Sequence, residues 1–461
     1  MRREVILLVW ISFCFLLLPG CWGSMETDQL GYVLVIGLDK GEENIIKVTF
    51  QLAIPEPIEG RQAEKGTEVV SVEAPSIFAA QELIDTFVSK RSTIIHNKAI
   101  VVSEDIAREG LSKYINPLVR SSDLRRTNYL LVTQGKAHDF IQENVNLIFE
   151  RYPSRQLDIF MTSTYMTGLI PNADVHKFYE ALNSPGRQPI AALVGVEKKK
   201  EETQKKEQQG EEDKEQQGDQ DKKQQDRQNK EQEGEQQAQD KKKETKSEKE
   251  KVEEAMAYVP GEIPREGGNK IEIIGTAVFK DDRLVGFLNG KETRYYQMVT
   301  GGFGRGNFTF PDPDPVEGGS NIINLEIMKG RSPEIKVDPD QEKINVRLFL
   351  EGEILSIQSG ENYEQGTLKK QLEDYVSNHI TQEVMRLIRK TQDEYRSDIF
   401  GFGEFTRIDL LTWQDWVDYE WLRKYPRYEV SVETVFKVRR SGIMIRTAPI
   451  HRGGEGGVRN E

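Results

Sequence analysis

From Glu197 to Glu254 the chain is almost entirely Lys, Glu, Gln and Asp, and between Val196 and Val252 its only apolar side chain is Ala238. Such a segment cannot bury enough surface to offset the entropy of ordering it. Lys, Glu and Gln favour helix, so transient solvated helix is compatible with the composition. A coiled coil is not, because the inward-facing heptad positions would have nothing apolar to offer. With 20 acidic and 16 basic side chains the run is nearly balanced in charge, which favours a disordered, solvated linker over a binding segment for a membrane surface or wall polymer. As a flexible coil it would span roughly 40–45 Å. Folding must therefore happen on either side of it.

The whole chain has 461 residues, 63 Lys and Arg against 76 Asp and Glu, and a net charge of -13. Two or three domains of ordinary size fit this length. The acidic balance argues against nucleic acid as a partner, since a phosphate backbone is bound through a basic face. Two cysteines exclude a disulfide-stapled scaffold and a four-thiolate zinc site. The five histidines, His96, His138, His176, His379 and His451, include no pair at metal-ligand spacing. Neither a metal nor a cofactor is expected.

The N-terminus carries an address. Arg2 and Arg3 precede an apolar run from Val5 to Leu18 broken only by Ser12. The run suits a signal-peptide core and falls short of the ~20 residues that cross a bilayer. Leu18-Pro19-Gly20-Cys21 follows and resembles the lipobox of bacterial lipoproteins, in which cleavage precedes the cysteine and its thiol is joined to diacylglycerol. Cleavage there would remove Cys14 and leave Cys21 as a lone thiol, which acylation would account for. The bland alternatives are a plain signal anchor, or an apolar helix whose cysteine is incidental.

Strand and helix patterns mix on both sides of the linker, so the fold class is α+β, with mixed sheets and packed helices. Before it, Val33–Asp39 and Ile45–Ile54 read as a hairpin. Pro75–Val88 places Ile77, Ala80, Leu83, Ile84 and Phe87 at amphipathic helical spacing. Ile94–Val102 reads as a strand, Asp105–Val119 as a helix, Thr127–Thr133 as a strand and Lys136–Ile148 as a helix. The Gly168–Leu182 region reads as a further helix, followed by a strand at Ala191–Val196. After the linker, Ile271–Lys280 and Leu284–Phe287 flank the turn Asp281-Asp282. Asn289-Gly290 reads as a turn before a helix at Glu292–Val299, and Ile322–Met328 as a strand. Ile344, Val346, Leu348 and Leu350 mark one face of a strand, and Gly366–Tyr395 reads as one long helix. Trp413, Trp416 and Trp421 suggest another helix before Pro426, and Tyr428–Val438 alternates as a half-buried strand.

Several motifs tempt a chemical reading. Gly301-Gly302-Phe303-Gly304-Arg305-Gly306 lacks the strand-before, helix-after context of a nucleotide loop and reads as a flexible hairpin tip. Asp398-Ile399-Phe400-Gly401-Phe402-Gly403-Glu404 offers two carboxylates for acid–base work. The simpler reading is a turn ending the long helix, with Gly401 or Gly403 at positive φ and Asp398 or Glu404 bonding backbone amides. His96, in a strand-like setting, reads as a packed or hydrogen-bonded histidine rather than a catalytic one. The three tryptophans could form a carbohydrate platform, but their spacing suits a helix face packed on a sheet. No Gly-x-Ser-x-Gly elbow occurs. No catalytic residue is assigned, and an enzyme is the weaker class.

Together these residues resemble the Ger(x)C family, the C subunits of GerA-type nutrient germinant receptors of endospore-forming bacteria. The resemblance rests on Cys21-Trp22, Ile36-Gly37-Leu38-Asp39, Ile95 to Gly110 with its His96-Asn97-Lys98, and Arg120 with Arg125-Arg126. It continues in Gly275 to Gly286, Glu292-Thr293-Arg294, Asp398 to Glu404, Trp413, Trp421, Tyr425-Pro426 and Arg439-Arg440-Ser441-Gly442. The linker is longer and more charged than the family pattern leads one to expect.

This likeness implies a non-enzymatic germination lipoprotein of three α/β domains, held by diacylglycerol on Cys21 to the outer face of the spore inner membrane and assembled with A- and B-type receptor subunits. The corresponding division is a signal peptide at 1–20, an N-terminal region of two subdomains at 21–196, the linker at 197–255, a C-terminal domain at 256–447 and a disordered tail at 448–461. The competing class is a stand-alone lipoprotein that binds a small molecule and delivers it to a transporter.

Overall fold

The structure is a computed structural model that describes residues 29–53, 67–145, 153–197, 256–313, 321–410 and 412–440, with Arg3, Glu4, Ile6, Trp10 and Val252 as isolated positions. Cys14, Cys21, Trp22, nearly all of the charged linker and the tail lie outside the described residues.

Nine strands form the first sheet: β1 (Leu30–Lys40), β2 (Ile46–Ala53), β3 (Thr67–Ala74), β4 (Arg91–Thr93), β5 (Ala99–Ser103), β6 (Tyr129–Thr133), β7 (Ile190–Val196), β8 (Ile271–Lys280) and β9 (Arg283–Leu288). Their order is β3-β2-β1-β5-β6-β7-β8-β9, with β4 beside β1. The middle strands β1, β5, β6 and β7 run parallel, and antiparallel hairpins flank them on both sides. The central strand Ala99–Ser103, Ala-Ile-Val-Val-Ser, is buried throughout, as a parallel strand covered on both faces must be. Side chains alternate between two apolar layers. Ile100 and Val102 join Ile36, Leu38, Leu130 and Leu193, while Ala99 and Val101 join Val35, Leu131 and Val194 on the opposite face.

Helices cover both layers. On one face lie α1 (Ile77–Ile84), α2 (Glu104–Glu109), α3 (Ser112–Arg120) and, further along the chain, a helix at Val175–Leu182. On the other lie α4 (Ala137–Glu143) and α5 (Pro153–Thr162); Val175–Leu182 is then α6. The Ser76 hydroxyl caps α1 by accepting from the Ala79 amide.

β7 and β8 come from opposite sides of the linker yet pair as neighbours. At the point where they part, the Glu197 amide donates to the Lys270 carbonyl over 2.8 Å.

The second sheet has the order β10 (Arg305–Pro311), β11 (Ile322–Asp338), β12 (Lys343–Ile357) and β13 (Glu429–Arg440). Helix α7 (Gly290–Thr300) leads into it from β9. β12 and β13 are parallel, so the chain must cross over, and α8 (Gly366–Lys390) makes that crossing. Leu372, Val376, Ile380, Val384 and Leu387 form its buried stripe, packed with Leu348, Leu350, Phe436 and Val438. Helix α9 (Trp413–Asp418) precedes a short helical turn at Trp421–Lys424.

Both expected hairpins, the long helix and the alternation of β12 and β13 are present. Elsewhere the chain differs from the sequence pattern. Asp105–Val119 is two helices, because Gly110 sits at φ +124 between them. Ile94–Lys98 is a turn rather than strand, so β5 starts only at Ala99. Residues 168–174 are not helical, and α6 begins at Val175 behind its Asp174 cap. Leu83 and Phe87 are exposed, which narrows the apolar face of α1 to Ile77, Ala80 and Ile84. β3 and α5 had no counterpart in the pattern reading.

Candidate functional site at the junction of the two sheets

Helix α8 does not end in a glycine or left-handed cap, since its C-cap Thr391 is still right-handed helical. Its last turn widens into a π-turn at Thr391–Tyr395, after which Arg396 adopts the left-handed conformation at φ 48, ψ 46. The segment that follows runs between the sheets. Ser397 Oγ donates to the Phe279 carbonyl of β8 over 2.6 Å, and the Gln188 amide donates to the Asp398 carbonyl over 2.8 Å.

The Asp398 carboxylate is fully buried and surrounded by donors. Oδ1 accepts from the amides of Phe400 and Gly401 at 3.1 and 3.0 Å. Oδ2 accepts from the Gly403 amide at 3.1 Å and from Trp421 Nε1 at 2.8 Å. Burial pushes its pKa up to about 6, against the opposing pull of those donors. The turn needs a glycine where Gly401 takes φ +74. This is the helix-terminating turn expected from the sequence, with Gly401 rather than Gly403 at positive φ.

The paired-carboxylate alternative is not formed. Glu404 faces away, accepting from Ser184 Oγ at 2.6 Å and lying 3.7 Å from Arg187 Nε. Asp398 has both oxygens committed to donors, which fixes the backbone of the turn.

The β8–β9 hairpin reaches into the same junction. Gln188 Oε1 accepts from the Asp281 amide, while Asp282 accepts from the amides of Leu111 and Ser112 at the start of α3. Tyr395 OH donates to the Phe287 carbonyl over 2.9 Å. Its ring lies so close to Gly286 that a Cβ there would come within 2.3 Å of it.

Glu292, Thr293 and Arg294 each tie α7 to a different neighbour. Glu292 closes a capping box with Asn289 and pairs with Lys390 of α8 at 2.7 Å. Thr293 Oγ1 lies 2.9 Å from Thr276 Oγ1 in a buried hydroxyl pair. Arg294 is buried and donates to the carbonyls of Thr167 and Asn307, its guanidinium 4.8 Å from the Phe308 ring. Burial pulls its pKa down to about 10. The sequence motif names these three residues without their roles, since a polar or charged side chain normally reads as solvated.

Gly301–Gly306 is not a flexible hairpin tip. It links α7 to β10, with Phe303 buried and Gly304 packed against Tyr165. His96 is not packed inside a strand. It lies exposed in the turn before β5, edge-on to Tyr32 at 5.0 Å. With Asn97, Lys98, Arg125, Asn128 and Asp158 it lines a polar recess of about 310 Å³. There Lys98 pairs with Asp158 at 3.0 Å, and Asn128 donates to Asn97 at 2.8 Å.

The tryptophans divide: Trp416 and Trp421 are buried, whereas Trp413 is 55% exposed. One exposed ring set edge-on to its buried neighbour makes no flat sugar platform. Among the described residues no cluster of His, Cys, Asp and Glu could hold a metal ion, and no helix is long and apolar enough to cross a membrane.

Comparison with known proteins places these features in a family. Residues 23–196 match the family described as spore germination protein N-terminal domain, and residues 274–442 match spore germination B3/GerAC like, C-terminal. YfkR of Bacillus subtilis (strain 168) is 19% identical over 458 residues, covering 97% of this chain and 99% of that protein. Spore germination protein A3 of the same organism is 26% identical over 145 residues, 30% of this chain and 38% of that protein. Spore germination protein KC is 27% identical over 168 residues, 34% of this chain and 40% of that protein. The crystal structure of the GerBC protein covers 88% of this chain and 96% of that one, with 15% identity and a TM-score of 0.42. The chain belongs to the Ger(x)C family of spore germination proteins.

Proposed function

We propose that this chain is the lipid-anchored C-type subunit of a nutrient germinant receptor, acting without catalysis in receptor assembly or signal transfer. The observation that carries the reading is the family match on both sides of the linker. The junction supports a non-catalytic role, because the motif residues with reactive side chains, Asp398 and Arg294, are spent on internal hydrogen bonds. Diacylglycerol on Cys21 would hold the protein on the outer face of the spore inner membrane. Partners confined to the same plane, the A- and B-type subunits, would then meet it at high effective concentration.

Two measurements test this reading. Deletion of the gene is expected to abolish dipicolinate release in response to some nutrients while leaving the response to exogenous calcium dipicolinate intact. Normal responses to every nutrient would count against the receptor role. Cys21→Ala is expected to release the protein from the membrane fraction; unchanged retention and germination would refute the anchor.

A further inference from the structure

We infer that the junction carries an oxyanion site for a phosphate group. A cleft of about 530 Å³ opens beside the π-turn, lined by Lys280, Gln392, Asp393, Arg396, Arg423 and Arg427. These residues come from three elements: the end of β8, the π-turn after α8, and the helical segment before β13. Four cations face one carboxylate, in a chain whose net charge is -13.

The cations are not there to satisfy nearby acids. Among the described residues Lys280, Arg396 and Arg427 form no ion pair, and Arg423 pairs only with Glu420, both side chains being exposed. Like charges gathered without counter-charges repel one another, and a bound anion relieves that repulsion. The backbone points the same way. Arg396 occupies a left-handed conformation that non-glycine residues adopt at a cost, directly after a π-turn, a feature concentrated at functional sites.

The cleft floor is rigid, because Gln392 Nε2 donates to the carbonyls of Tyr425 and Tyr428 at 3.0 and 2.9 Å. Guanidinium groups on such a frame suit a phosphate, whose oxygens accept paired N–H donors. The group could be a phospholipid headgroup or a free phosphate. Because its walls join the end of β8 in the first sheet to the segments that follow α8 and precede β13, occupancy would bind the junction together.

The test uses the full chain in neutral detergent. Binding is measured by titration calorimetry with inorganic pyrophosphate, and with mixed micelles carrying phosphatidylglycerol or phosphatidylcholine. Arg396→Gly suits the backbone and removes the guanidinium, so the midpoint of thermal unfolding should hold or rise while binding weakens at least tenfold. Arg427→Gln should weaken it similarly. The control pair Arg347→Gln and Arg439→Gln, on the exposed face of the second sheet and paired there with Glu433 and Glu351, should leave binding within twofold. Binding of both pyrophosphate and phosphatidylglycerol supports a site for free and lipid phosphate alike; binding of phosphatidylglycerol alone assigns it to the headgroup. No binding of either, or equal loss in the control variant, would overturn the site, and an equal response to phosphatidylcholine would overturn an anionic headgroup as its occupant.

Discussion

The indole N–H of Trp421 donates to Asp398 Oδ2 across 2.8 Å, and both side chains are buried. A hydrogen bond to a buried carboxylate is worth more than one to a neutral carbonyl. Trp421→Phe should therefore destabilise the fold by about 2–3 kcal/mol. Trp416→Phe loses a bond to the neutral Gly403 carbonyl instead, which should cost about 1 kcal/mol. Urea unfolding of both variants checks the ranking; equal losses would mean that the carboxylate is not the stronger acceptor.

Asp398 also imposes a pH dependence. Its folded pKa of about 6 lies above the ordinary 3.8, so between these values the folded state binds more protons than the unfolded one. The group's contribution is fully present below about pH 4 and is lost as pH rises through 6, a change of about 3 kcal/mol. Asp398→Asn removes that titration. The stability of the wild type minus that of the variant should fall between pH 4 and 6, measured by denaturant unfolding across that range. A flat difference would place the carboxyl at its ordinary pKa.

Gly286 and Tyr395 form a steric pair. A methyl at position 286 would meet the Tyr395 ring at 2.3 Å and disturb the bond from Tyr395 OH to Phe287. Gly286→Ala is expected to cost about 1–3 kcal/mol. In a Tyr395→Ala background the same substitution should cost less than about 0.5 kcal/mol. A double-mutant cycle gives the coupling, and additivity would show that the ring is not what excludes the methyl.

Thr276 and Thr293 satisfy each other's hydroxyls in a buried site. Thr293→Val strands one hydroxyl and should destabilise by about 1–3 kcal/mol, whereas Thr276→Val with Thr293→Val removes both and should cost less than either single change. Thermal unfolding of the three variants decides it.

Much of the fold was legible because its strands and helices keep a clean period. The stripe Leu372, Val376, Ile380, Val384 and the alternation of Ile344, Val346 and Leu348 announce a helix and a strand directly. β3 was missed because it lies at the sheet edge, where Val69, Val70 and Val72 are all half-buried and no face stands out. α5 is not announced because, among its described side chains, Leu157 and Met161 are the only fully buried apolar ones. The turn around Asp398 could be read from its carboxylate and glycines, but not its partners. Gln188 and Phe279 lie far away in sequence, and only the sheet topology brings them to the turn.

The bond between Glu197 and Lys270 has a practical meaning for the charged run. The chain between those two residues leaves and rejoins the sheet at one spot, and its last part packs back against α7, where the carbonyls of Met256 and Tyr258 accept from the amides of Lys291 and Gly290. Hence the length of the charged run before it is not read by β7 and β8. Doubling such a loop adds only about 0.6 kcal/mol of closure entropy. The position is therefore a splice point: a reporter domain with adjacent termini could be carried there while β7 and β8 zip together as before.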